Sequence, residues 1–351
     1  MIDLSTQRYA LLALAAAALF GASTPLAKLL QADIAPELLA GLLYLGSGAG
    51  LALAQLIRCA GKRAAEAPLQ TADYPWLAGA VLCGGIAAPL LLMWGLAGAS
   101  ASGVSLLLNL EGVFTALIAA LVFKEAIGRR IWFAALLMLA AGLLLGYAPQ
   151  AGFELSLRSL AVAAACALWA LDNNLTRRIA AADPVNIAMI KGLAAGGVNV
   201  IAALSLGARL PQALPLAGSL MLGWLGYGVS LVLYILALRH LGSARAAAHF
   251  SSAPFIGAGL AIALLGEPVT AGFGAAFVLM LAATWLALSE RHGHTHAHEA
   301  LAHEHLHTHD AHHQHAHGSG EGPEPHSHPH RHAPLAHSHP HLPDLHHRHT
   351  H

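Results

Sequence analysis

Glu111 stands about twelve residues inside an apolar run that begins near residue 98, ~18 Å along a helix rising 1.5 Å per residue. A carboxylate held at that depth in a bilayer costs roughly 2.5–3.5 kcal/mol on insertion scales and is too short to reach an interface. It suits proton coupling, or the countercharge of a cationic substrate. The alternative is a buried acid that pairs with Lys28 or Lys191 and fixes helix packing. Asp172-Asn173-Asn174 places three polar groups in a second apolar run. On a helix they point in three directions about 100° apart, so at least one of Asp172, Asn173 and Asn174 faces a cavity, with Asp172 and Asn173 as the candidate site residues; interhelical hydrogen bonding is the competing role. Lys191, about two turns into another run, could take an anionic substrate group or neutralise Glu111 or Asp172. Lys28 and Arg177 sit near run ends, where they could snorkel to headgroups or form a charged collar at each mouth of a cavity. His249 is a packing histidine or a proton relay. It lies in His249-Phe250-Ser251-Ser252-Ala253-Pro254, and Asn109-Leu110-Glu111-Gly112 occupies the matching place in an earlier run. Paired interruptions at Gly112 and Pro254 mark a midplane binding site, where Ser251, Ser252, Asn109 or ordered water could meet freed carbonyls and Asn109 is also a candidate substrate or coupling residue.

A different chemistry occupies the end of the chain. Of the 25 histidines, 23 follow Arg291. His294, His296, His298, His303, His305, His307 and His309 alternate with other residues, and His312 and His313 are adjacent. Neutral imidazole binds zinc, nickel, copper and cobalt. A segment this rich in histidine and proline has no means of building a core, so it is expected to be disordered without metal, and any binding there to be multiple, weak and unselective. A solubilising spacer and a pH switch are the other readings. The switch would follow because two arginines stand against six acidic residues, and protonating the histidines would reverse that sign near pH ~6.5.

These groups must be positioned by a mostly apolar chain, 56% hydrophobic and 10% charged, where a soluble domain carries about 25% charged residues. Ten runs long enough to cross a bilayer fall at about 8–30, 35–57, 74–96, 98–122, 130–148, 156–177, 184–206, 214–238, 243–265 and 269–289. They lack the alternation of barrel strands, so the expectation is helices. Pro36, Pro75 and Pro184 suit first-turn positions, and Asp183 suits an N-cap. The small residues after Arg8 also allow a signal-peptide reading, but cleavage would delete one member of a repeat. Cys59, Cys83 and Cys166 are isolated and support neither a disulfide frame nor a thiolate metal site. Gly46 to Gly50 and Gly84-Gly85 suit close helix contacts. No Gly-Lys-Ser/Thr follows them, so no nucleotide loop is read, no cofactor is required and no enzyme activity or nucleic-acid partner is indicated.

The chain is also internally duplicated. Ser100–Leu144 aligns without gaps on Gly242–Leu286 at an offset of 142, with Gly112 falling on Pro254 and Glu125 on Glu267. Glu125 and Glu267 then lie at run ends on opposite faces, which suits interfacial caps or gates. Phe20 to Lys28 resembles Trp169 to Arg177. Lys and Arg gather on one side of the ten-run arrangement, at Arg8, Arg58, Lys62, Arg63, Lys124, Arg129, Arg130, Arg177, Arg178, Arg239, Arg245 and Arg291. By the positive-inside rule that side is cytoplasmic, with both termini. Five runs per copy is an odd number, so the copies are expected to insert with opposite orientation.

These residues resemble the drug/metabolite transporter superfamily, specifically its EamA-like members. The resemblance spans about 1–290 and rests on Phe20-Gly21 through Pro25 and Lys28, on Leu106 through Glu111, on Phe123-Lys124-Glu125, and on Ser252-Ala253-Pro254 and Gly266-Glu267-Pro268. Glu111 is followed by Gly112 where the family often has proline. The resemblance implies an all-α integral membrane fold of ten helices in two inverted five-helix repeats, 1–149 and 150–290; composition and the charge bias make 291–351 a disordered, cytoplasmic histidine-rich tail. It implies a multi-pass protein of the inner (plasma) membrane and a secondary carrier that exports a small organic metabolite through a central cavity. The lipid bilayer and a small molecule are the expected partners, transition-metal ions the further ones; a homodimer is left open. The alternatives are a divalent nickel, cobalt or zinc transporter, a metal-regulated carrier, and a membrane-anchored metal sensor.

Overall fold

The computed structural model describes residues 4–59, 68–123, 129–146, 156–179, 182–241 and 249–288, and four tail segments. The first six stretches are helical with short connections. We label their elements α1 (Leu4–Leu30), α2 (Pro36–Cys59), α3 (74–97), α4 (101–123), α5 (Arg129–Gly146), α6 (Leu157–Ile179), α7 (Pro184–Ser205), α8 (213–241), α9 (Ala253–Leu265) and α10 (Ala271–Leu288). Among the described residues, five helices are long and apolar enough to cross a membrane: Gln7–Leu30, Pro36–Ile57, Thr71–Ala97, Pro184–Ser205 and Ala213–Ala237. Shorter apolar helices include Ala101–Thr115, Trp132–Leu145, Ala253–Leu265 and Ala271–Leu286. Exposed Leu11, Leu56, Ile57, Leu82, Ile201, Val278 and Trp285 give the bundle an apolar outside. That surface suits lipid, which makes burial of such residues unnecessary.

The helix starts follow from local chemistry. Asp183 Oδ1 accepts the Val185 amide at 2.9 Å, and Pro184 follows in the first turn of α7. At the other end of a helix, Gly266 closes α9 with φ of +64°, a left-handed cap that glycine adopts without strain.

Packing repeats the duplication. α2 packs on α7, α5 on α10 and α4 on α9; α1 lies against α8 and α9 as α6 lies against α3 and α4. Exchanging each helix for the one five places on maps this pattern onto itself. Glycines allow close backbone approach between α2 and α7: a Cβ on Gly192 of α7 would lie 2.6 Å from the Gly48 nitrogen of α2. A feature the sequence reading did not contain obeys the same offset. Val81–Ala87 in α3 and Gly223–Val229 in α8 are both seven-residue π-helical segments, and they start 142 residues apart. Such segments widen a helix and are frequent at functional sites.

In the tail, β1 (Gly293–His298) pairs antiparallel with β4 (Leu335–Pro340), and β2 (Leu301–His307) with β3 (His326–His332). These are isolated two-stranded ladders, a kind that is marginal in water by itself. The alternating histidines carry the period of a strand, which matches these pairings. His309, His312 and His313, like Glu125, lie outside the described residues.

Candidate functional site

The site begins where α4 is interrupted. Its helical pieces, Ala101–Leu107 and Leu110–Phe123, meet at a turn over Leu108 and Asn109. There the amides reach back only three residues: Asn109 to Leu106 O at 3.0 Å and Glu111 to Leu108 O at 3.1 Å. The Asn109 side chain also donates to Leu106 O, at 3.0 Å. This places the interruption before Glu111 rather than at Gly112. Gly112 is inside the second piece, with open space where a Cβ would stand. Asn109 is thus committed to closing the break and is buried, instead of lining a cavity. Just before α9 a turn covers Ser251 and Ser252, with Ser252 N and Oγ both donating to His249 O, at 3.2 and 2.6 Å. Pro254 is in the first turn of the helix that follows.

Just past the α4 break, Glu111 meets α6. Asn173 Nδ2 donates to Glu111 Oε1 at 2.7 Å. One position earlier, Asp172 is buried and forms an ion pair with Lys191 of α7. Thr176 Oγ1 donates to the other Asp172 oxygen at 3.0 Å. Asn174, the third of the polar run, returns its amide to Ala170 O at 2.8 Å within its own helix. Lys191 therefore neutralises Asp172, and Glu111 is held by an amide rather than by Lys28 or Lys191. Lys28 points elsewhere, to the carbonyls of Leu96, Ala97 and Ala99.

The π segment of α3 forms the floor under Asp172. Pro89 has no N–H to return to the carbonyl five residues before it, so Gly84 O is free for side-chain donors. Tyr44 OH donates to it at 2.6 Å and Trp169 Nε1 at 2.9 Å. Asn199 Nδ2 donates to the neighbouring Gly85 O at 3.2 Å. A Cβ on Gly84 would overlap the Asp172 carboxylate. Gly84→Ala should accordingly push Asp172 off Lys191. We expect a folded-protein yield reduced at least several-fold, measured as monodisperse protein after detergent extraction, with Gly79→Ala, whose Cβ meets only a Leu175 methyl at 3.1 Å, close to wild type.

Tyr44 also joins a chain of rings. Tyr44 to Tyr227, Tyr227 to Phe20, Phe20 to Phe250 and Phe250 to Tyr234 have centroids 5.6, 5.8, 5.6 and 4.7 Å apart. The polar cluster of α4, α6 and α7 thus adjoins an aromatic wall from α1, α2, α8 and the approach to α9. Tyr44, Trp169 and Tyr227 were not among the residues singled out from sequence; an aromatic inside an apolar run carries no local mark. Among the described residues, no group of three or more His, Cys, Asp or Glu is placed to hold a metal ion. The arrangement can hold a proton or a cation at Glu111, present a fixed dipole at Asp172–Lys191 and stack an apolar moiety on the rings.

Comparison with known proteins gives one consistent result. The pattern of the EamA-like transporter family matches residues 7–147 and again 157–289. An uncharacterized transporter of Methanothermobacter thermautotrophicus (strain Delta H) is 29% identical over 235 residues, covering 64% of this chain and 67% of the relative. A protein of known crystal structure aligns with a TM-score of 0.58 at 20% identity, over 80% of this chain and 95% of its own. That likeness concerns the fold.

Proposed function

Because the chain belongs to the EamA-like transporter family, we propose that it is a secondary carrier that exports a small organic metabolite by alternating access, with Glu111 as the coupling or substrate-binding carboxylate. The observation that carries this reading is the Glu111–Asn173 contact beside the break of α4. It puts an acid bonded to a neutral amide next to the Asp172–Lys191 pair and the aromatic wall. Among the described residues Glu111 has no ion-pair partner, and such a carboxylate is ready to exchange a proton or an amine, whereas Asp172 is already neutralised.

The finer architecture belongs to the same proposal. The carrier has ten crossings in two oppositely inserted halves, 1–149 and 150–290. It lies in the inner membrane with both termini and the 291–351 tail in the cytoplasm. The packing symmetry and the paired π segments support the two halves, and the Lys/Arg bias supports the orientation. The experiment is comparative metabolite profiling of culture medium from cells expressing wild type, the Glu111→Gln variant or empty vector. A metabolite enriched by wild type and absent from the variant's medium supports the reading; equal enrichment by both removes Glu111 from it.

The tail is proposed to bind Zn, Ni, Co or Cu without being needed for transport. Truncation after Arg291 is expected to abolish most of the nickel or zinc retained by purified protein, measured by elemental mass spectrometry, while the exported metabolite is unchanged. If instead cellular nickel, cobalt or zinc changes with expression and the metabolite profile does not, the divalent-metal carrier is the better reading.

A further inference from the structure

We infer that Glu267 closes one mouth of the carrier by clamping α9 to the start of α4. Its two carboxylate oxygens accept the backbone amides of Ala101 and Ser102, at 2.6 and 2.8 Å. The first amides of a helix have no partner within it, and here each is met: Ser100 Oγ accepts Gly103 N at 3.2 Å, and Ser100 O accepts Val104 N at 3.0 Å. The left-handed Gly266 turns the chain out of α9 so that Glu267 reaches across to its neighbour instead of capping its own helix.

The same turn is gripped from two other helices, through the carbonyls that end α3. From α1, Lys28 Nζ donates to Leu96 O, Ala97 O and Ala99 O at 2.5, 3.2 and 3.0 Å, and Gln31 Nε2 donates to Met93 O at 2.7 Å. From α6, Arg158 Nη1 donates to Trp94 O at 2.5 Å, and its guanidinium lies 3.9 Å from the centroid of the Trp94 ring. Helices from both repeats thus converge on residues 93–102 through main-chain groups. Beneath the clamp, every residue from Ala101 to Leu110 is buried. Beyond it the sealing ends: Glu111 is half-exposed, and Gly112 and Asn173 are exposed. Among the described residues, the polar cluster is covered on the clamp side and more exposed on the other. Under the orientation proposed from charge, the clamped side is the outer one; the clamp itself does not depend on that orientation.

For the carrier to open at this end, the tip of α9 must leave the start of α4, so both Glu267 bonds break together. Bonds from amides to a carboxylate are charge-assisted. A glutamine keeps one acceptor oxygen and replaces the other with a donor, which faces an amide it cannot satisfy. Glu267→Gln should therefore raise the population open at this end by about tenfold, which corresponds to about 1.4 kcal/mol.

The test uses the full chain with Cys59, Cys83 and Cys166 replaced by alanine and with Ser105→Cys as reporter, after export by this background is confirmed. Ser105 is one turn inward from the clamp and is 1% exposed. A membrane-impermeant maleimide is added to intact cells and, separately, to inside-out vesicles. Slow labelling of the reporter from outside is expected, rising about tenfold in Glu267→Gln with no rise from the vesicle side. Glu267→Asp keeps the charge with a shorter reach; a smaller rise is expected there, and it serves if the glutamine variant fails to insert. Unchanged labelling in both variants, or an equal rise from both sides, overturns the clamp. A rise from the vesicle side alone supports the clamp and overturns the orientation, so the two failures are distinct.

Discussion

Export by the Glu111→Gln variant is expected to fall roughly 10- to 100-fold while its folded yield stays at the wild-type level. The size follows from the type of bond lost. A hydrogen bond to a charged group contributes about 1.5–3 kcal/mol, and each 1.4 kcal/mol is tenfold. If Glu111 carries the coupling proton, the loss is complete instead. Folding is spared because glutamine retains the acceptor that Asn173 Nδ2 uses at 2.7 Å, and because removing a charge from an apolar helix relieves an insertion cost. The measurement is the rate of appearance of the exported metabolite per unit of inserted protein. A variant that exports normally would leave Glu111 as a packing residue.

Lys191→Ala is the second large effect, and it runs in the opposite sense, against the fold. The substitution strands the Asp172 carboxylate, whose side chain is 5% exposed. Thr176 Oγ1 remains within reach, but it is neutral. An unpaired acid inside a spanning helix costs roughly 2.5–3.5 kcal/mol, enough to lower the Tm of detergent-purified protein by several degrees or to prevent its recovery. Removing both charges, as Asp172→Asn with Lys191→Met, is expected to recover most of that loss, because replacing a buried pair by neutral groups is often close to neutral. Tryptophan fluorescence follows the unfolding, since Trp169 is anchored to Gly84 O beside this pair. A double variant no more stable than Lys191→Ala would mean that the stranded Asp172 charge is not the source of the loss.

Much of this architecture was legible in the chain. Apolar runs of bilayer length and an ungapped 142-residue offset are properties of composition and order, which need no coordinates. The offset recurs in the π segments at Val81 and Gly223, but those were not foreseen. A π turn depends on which carbonyl each amide reaches, and Gly84-Gly85 reads equally well as a plain helix contact. The position of the α4 break was misjudged for a related reason. Gly112 aligns with Pro254, but the side-chain amide of Asn109 competes for Leu106 O and opens the turn earlier. The pairing of Lys191 could not be decided between Glu111 and Asp172, since sequence separation does not give helix rotation. Lys28 was read as a headgroup or collar cation. Its three carbonyl acceptors exist only because α3 ends beside α1. Tyr44 and Trp169 were invisible because their role depends on a carbonyl freed by Pro89.

The most direct measurement is transport by purified protein in ATP-free proteoliposomes, using the metabolite that profiling identifies and an imposed substrate or proton gradient. A gradient-driven flux that is saturable in wild type and falls at least tenfold in Glu111→Gln is the predicted result. Flux that appears only with ATP, or that is equal in the two proteins, would contradict a secondary carrier working through Glu111.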